Sequence, residues 1–106
     1  MYYTYLLRCA GNSLYAGICT DLQRRMKEHF SADPKCAKYT RSHPPVALTA
    51  AWGSEDRAVA SRLEYRIKGL PKAKKEILAA GGGLEKVFSD PDFCAAYTPV
   101  ILPHTE

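Results

Sequence analysis

The chain has 106 residues, 46% of them hydrophobic and 25% charged, with a formal net charge of +4. That length and composition suit one globular domain with a modest core and exclude a disordered or fibrous chain. No apolar run approaches the ~20 residues of a membrane span, and Met1-Tyr2-Tyr3 lacks the basic-then-apolar order of a signal peptide, so a cytoplasmic protein without a membrane role is expected.

Charge is unevenly spread. Residues 1–83 hold fourteen Lys and Arg against seven Asp and Glu, a net +7, whereas residues 84–106 hold one against four, a net −3. A basic body favours a polyanionic partner. The four cysteines, Cys9, Cys19, Cys36 and Cys94, form no C-x-x-C pair, so free thiols are expected rather than a zinc site or a disulfide.

The predicted elements begin with two strands. In residues 2–9, Tyr3, Tyr5 and Leu7 share one face and Thr4, Leu6 and Arg8 the other. Residues 14–19 form the second apolar run, and Gly11-Asn12 supplies turn chemistry between them. Paired residue numbers in a regular antiparallel hairpin have a constant sum. Tyr5 and Tyr15 therefore share a face only if that sum is even, which requires an odd loop such as Ala10-Gly11-Asn12, or a bulge. Gly17, inside the second strand, marks a close approach: room for a phosphate or a water, a bulge, or tight helix packing.

A helix over 22–30 follows, capped by Thr20 or Asp21, with Leu22, Met26 and Phe30 on its apolar face. Arg25 and His29 border that face as i,i+4 neighbours and lean toward the hairpin. Residues 31–43 read as a loop broken at Asp33-Pro34, with one helical turn over 37–41. Its Lys35, Lys38, Tyr39 and Arg41 interleave cations with an aromatic, which suits phosphate contacts and base stacking.

A third strand is predicted over 46–52, with Pro45 at its start or on an edge. Ser54-Glu55-Asp56 caps a helix over 57–70 whose stripe is Val59, Leu63, Ile67 and Leu70. Glu64 borders that stripe, where it either pairs with Lys68 or is held for a hard cation. Pro71 begins a basic helix over 72–80 carrying Lys72, Lys74 and Lys75, which ends at Gly81-Gly82-Gly83. The acidic tail, 84–106, either packs back through Val87-Phe88 and Val100-Ile101-Leu102 or stays partly disordered. The fold class expected is α/β of the α+β type: a small three-stranded, largely antiparallel sheet flanked by helices, in the order β-β-α-β-α-α over residues 1–83.

The hairpin, with Tyr3-Thr4-Tyr5 and Tyr15-Ala16-Gly17, then the Arg25/His29 helix, the third strand and the Glu64 helix, resembles the GIY-YIG nuclease family over roughly residues 2–80. The likeness is strongest to its small single-domain bacterial members. Two positions depart from the family pattern. Tyr3 stands where the first glycine is expected, and Asn12 in the turn is the chain's only asparagine, whereas many larger relatives place one after the glutamate helix.

The resemblance implies metal-dependent hydrolysis of phosphodiester bonds in a nucleic acid, DNA rather than RNA, in structured or single-stranded form. It implies that Tyr5, Tyr15, Arg25, His29 and Glu64 converge as the catalytic set. Glu64 would hold one divalent metal, Mg²⁺ or Mn²⁺, Arg25 would grip the scissile phosphate, and Tyr5 or Tyr15 would orient or deprotonate the attacking water. His29 would accept a proton or fix a tyrosine hydroxyl. Gly17, Arg25, Lys35, Lys38, Tyr39, Arg41, Lys72, Lys74 and Lys75 are the expected nucleic-acid contacts. The alternative is a weakly active or inactive nucleic-acid-binding module of the same fold.

Overall fold

Tyr2–Cys9 forms β1 and Ser13–Cys19 forms β2, joined by a 3-10 turn at Ala10–Asn12 in the computed structural model, which describes residues 1–31, 33–35 and 37–102. The turn uses Gly11 at φ 80° and Asn12 at φ 65°, the left-handed conformation these two residue types accept most readily. The loop is therefore three residues long. The register is Cys9↔Ser13, Leu7↔Tyr15 and Tyr5↔Gly17, so the paired numbers have an even sum and Tyr5 and Tyr15 share a face. Of the two arrangements that would bring the tyrosines to one face, an odd loop or a bulge, this is the odd loop.

After the hairpin come α1 (Leu22–Phe30), α2 (Lys38–Ser42), β3 (Pro45–Ser54), α3 (Arg57–Lys68), α4 (Lys72–Ala79), α5 (Pro91–Ala95) and β4 (Thr98–Pro99). Asp21 caps α1 by accepting from the Arg24 N–H, and Asp56 caps α3 by accepting from the Val59 N–H. The sheet order is β2-β1-β3-β4 with every pairing antiparallel. The sheet thus has four strands where three were expected. The added strand is two residues long and includes Pro99, too short to leave an alternating pattern. A register shift between Leu6 and Leu7 sets Thr49 out of the β1–β3 ladder, and its hydroxyl donates to the Leu6 carbonyl at 2.9 Å.

β1 lies inside the sheet and sends alternate side chains to two cores. Leu6 joins Trp52, Leu63, Ile67 and Leu78 beneath α3 and α4, where Leu84, Val87 and Tyr97 of the tail complete the packing. Tyr5, Leu7 and Cys9 face the other way, with Ala51, against Leu22, Met26, Tyr39 and Leu48. Phe30, expected on the buried face of α1, is 47% exposed, and His29 is buried in its stead at 1%. Arg8 crosses to α4 and makes two hydrogen bonds to the Glu76 carboxylate, at 2.5 and 2.6 Å. Cys9, Cys19 and Cys94 are free thiols, and Cys36 lies outside the described residues. Among the described residues no helix is long and apolar enough to cross a membrane.

Candidate active site

The site starts from the absence of a side chain at Gly17. A methyl group there would come 2.6 Å from Cζ of Tyr5, its cross-strand partner, and closer still to the hydroxyl oxygen. The room over Gly17 is filled by the Tyr5 phenol, not left for a phosphate or a water. The phenol lies across β2 toward α1.

Helix α1 delivers the partners of that phenol. Tyr5 Oη is 2.7 Å from His29 Nε2, and Arg25 Nε donates to the same oxygen at 3.4 Å. Behind the imidazole, His29 Nδ1 is 2.9 Å from Thr40 Oγ1 on α2, and that hydroxyl donates to the Ala37 carbonyl, also at 2.9 Å. Thr40 has one proton, and the carbonyl takes it. His29 Nδ1 must then donate to Thr40, which leaves Nε2 as the acceptor of the Tyr5 proton in a neutral imidazole.

Electrostatics agree with this assignment. Burial, with the Arg25 charge beside it, lowers the His29 pKa to about 4. Burial also pushes the Tyr5 phenol above its ordinary value, against the pull of Arg25. The pair is therefore a neutral phenol hydrogen-bonded to a neutral imidazole at pH 7. Arg25 is oriented from two more sides: Nη1 lies 2.8 Å from Glu28 Oε1 and 2.6 Å from the Lys35 carbonyl. Among the described residues Nη2 has no partner, so one corner of the guanidinium is left for an anion.

Tyr15 joins the group through its ring, 6.4 Å from the Tyr5 centroid and 6.0 Å from that of His29. It also stacks on Tyr39 at 5.4 Å, and the Lys68 ammonium lies over it at 5.6 Å. Glu64 is tied to the cluster only indirectly: its carboxylate pairs with Lys68 at 3.3 Å, one turn further along α3. Among the described residues no three His, Cys, Asp or Glu side chains gather as a ready-made metal cage. A lone, partly exposed carboxylate still fits a hydrated Mg²⁺, which takes one or two carboxylates and keeps several waters.

A groove of about 630 Å³ opens beside the hairpin turn, lined by Tyr15, Tyr39, Lys68, Lys72 and Lys75 among others. The Lys72 ammonium hydrogen-bonds the Asn12 carbonyl at its rim. Four expected residues thus converge (Tyr5, Tyr15, Arg25 and His29), and Lys72 and Lys75 join Tyr39 at the groove. Lys35, Lys38, Arg41 and Lys74 are exposed on the surface. Sequence reasoning missed Thr40 and Glu28, and it had Lys68 as the partner of Glu64 but not over the Tyr15 ring. Glu28 stands three residues after Arg25, a helical pairing distance, and was open to detection. Thr40 left no such signal.

The family model described as the GIY-YIG catalytic domain matches residues 1–76. The chain is 43% identical over 86 residues to UPF0213 protein BH0048 of Halalkalibacterium halodurans, covering 79% of this chain and 89% of that one. It is 41% identical over 91 residues to a UPF0213 protein of Xanthomonas campestris pv. campestris, covering 86% and 87%. A solution NMR structure of UPF0213 protein BH0048 from Bacillus halodurans has a TM-score of 0.48 at 40% identity, over 81% of this chain and 92% of that one. The match over most of the chain and the identities to several relatives agree, and the chain belongs to the GIY-YIG family.

Proposed function

We propose that the protein is a metal-dependent nuclease that hydrolyses phosphodiester bonds in DNA. The observation that carries this reading is the single oxygen of Tyr5, which accepts from Arg25 and donates to a neutral His29. Hydrolysis needs a proton acceptor near the attacking water and positive charge at the phosphate. Free phenolate is scarce at pH 7, and burial makes it scarcer here. The dyad avoids the need for it: Tyr5 passes its proton to His29 Nε2 as it takes one from the incoming nucleophile. Tyr15, which lines the groove, orients that nucleophile. Arg25 turns its Nη2 corner to the phosphate. A bidentate grip would require Nη1 to leave Glu28 or the Lys35 carbonyl.

Glu64 is the residue to hold a divalent cation, which when bound supplies charge neutralisation at the phosphate and the leaving oxygen. Lys68 pairs through Oε2 of Glu64, so a divalent cation on the carboxylate must share it with Lys68 or displace Lys68. That pair also favours a second reading, a nucleic-acid-binding module that does not cut, because a cation already occupies the carboxylate.

Cleavage assays with Mg²⁺ on branched, nicked and single-stranded DNA separate the two. The expected result is cutting by the parent and none by Glu64→Ala, with binding retained. Cutting by Glu64→Ala at the parent's rate would place the metal elsewhere. Binding without cutting by the parent on every substrate and metal would establish the second reading.

A further inference from the structure

A stack of aromatic rings leads out of the site to a residue that neither the dyad nor the metal reading employs. Tyr39 lies 5.4 Å from Tyr15 at 14° between ring planes, and 4.3 Å from His43 at 10°. Three near-parallel rings therefore run in series, with Tyr39 as the shared member. His43 is exposed, so the series ends in solvent.

The His43 ring is held for this position. Its Nδ1 is 3.0 Å from Ser42 Oγ and 3.3 Å from the Tyr39 carbonyl, and Ser42 Oγ donates to that same carbonyl at 3.1 Å. A carbonyl only accepts, so Nδ1 carries the proton and Nε2 is left as an outward acceptor. An exposed ring fixed by hydrogen bonds loses little freedom when another flat group covers it. On the Tyr15 side of the series, Lys68, Lys72 and Lys75 line the groove and provide charge for a phosphate backbone.

We infer that the open face of His43 is a stacking subsite for an unpaired nucleic-acid base, extending the Tyr15–Tyr39–His43 series while the backbone runs along the lysine-lined groove. A base inside a duplex has both faces covered and cannot continue the series. The subsite therefore selects nucleic acid with at least one unstacked nucleotide on the strand that carries the reacting phosphate. This deepens the nuclease reading and rests on it.

The test uses the full chain at low salt with a mixed-sequence single strand and its duplex, each end-labelled for fluorescence anisotropy. Expected is that His43→Ala lowers the ratio of single-strand to duplex affinity about tenfold, the scale of one base–aromatic stack. His43→Phe, which keeps a flat ring, restores the ratio. In a single strand carrying an adenine analogue that is quenched on stacking, the parent quenches and His43→Ala does not. His43 is exposed, and an unchanged melting temperature confirms that the variants fold. A parent-like ratio in His43→Ala, or no quenching by the parent, overturns the stacking subsite and leaves the groove as a backbone site. Failure of the parent to bind either strand form overturns the nucleic-acid reading and the subsite together.

Discussion

Gly17 and Tyr5 are cross-strand partners, and the Tyr5 ring occupies the space that any side chain on Gly17 would need. The glycine of the second tyrosine motif thus serves the tyrosine of the first. Gly17→Ala forces the phenol aside and breaks its 2.7 Å bond to His29. Overpacking of this kind costs about 1–3 kcal/mol, read by denaturant unfolding. Cleavage should fall about 10²-fold or more, because displacement of a reacting group by an ångström is enough for that. Parent-like stability and rate would mean that the ring yields freely and that Gly17 has another use.

Thr40→Val keeps the shape of the side chain and removes the hydroxyl. His29 Nδ1 then loses its acceptor inside the protein, at a cost of about 1–3 kcal/mol for an unsatisfied buried group. Nothing would then hold the proton on Nδ1, and nitrogen NMR of His29 should show the other tautomer gaining population. Thr40→Ser restores both stability and tautomer. Unchanged tautomer populations in Thr40→Val would remove Thr40 from the relay.

Acid should unfold the protein partly through His29. Its folded pKa of about 4 lies below the ordinary 6.5. The unfolded chain therefore binds more protons between these values, and stability falls as pH drops through that window. The contribution is complete above about pH 6.5 and gone below about pH 4. At ~1.4 kcal/mol per pH unit it amounts to roughly 3 kcal/mol at most. Unfolding free energies from pH 7 to 4 should show this slope in the parent and a flatter one in His29→Gln. The Glu76 pKa, lowered to about 2 by its hydrogen bonds to Arg8, adds a separate loss that begins only below about pH 4.5. By the same reasoning the cleavage rate should not drop near pH 6.5, since the imidazole stays neutral.

Nucleic-acid affinity should fall with salt. Each phosphate contact contributes about −0.9 to the slope of log K against log salt for duplex DNA and about −0.7 for single strands. Lys72→Ala and Lys75→Ala, at the groove, should each flatten the slope by about that amount. Lys74→Ala, exposed on the same helix but outside the groove lining, should change it less. Equal effects at all three would mean that the helix acts as a diffuse basic surface.

The parts of the fold legible in the sequence are those whose instructions are local. Alternation in β1, the Gly11-Asn12 turn and the Asp21 cap all agree with the final structure, and α1 spans the residues expected of it. Parity arithmetic reduced the placement of Tyr5 and Tyr15 to one question about the loop, and its three residues answer it. What escaped was relational. Thr40 lies in a stretch that reads as a basic loop, and its role exists only because α2 folds against the ring of a histidine eleven residues earlier. Phe30 follows the apolar period of α1 and is nevertheless exposed, since a histidine satisfied at both nitrogens fills the core place beside it. Glu64 and Lys68 pair at the spacing expected of them, but nothing in the spacing says that Lys68 also covers Tyr15.

The two-residue strand β4 bears on how the protein behaves in crowded solution. It pairs with Trp52 and Gly53, so the outer backbone groups of β3 there are already taken. Cut at residue 83, the chain would lose this cover together with Leu84, Val87 and Tyr97, and would present an open sheet border flanked by newly bared apolar surface. Such a border recruits other strands. The shortened protein should associate with itself, visible by light scattering, and its chemistry should weaken as well, because Val100 of the lost tail packs against the core that holds Tyr5.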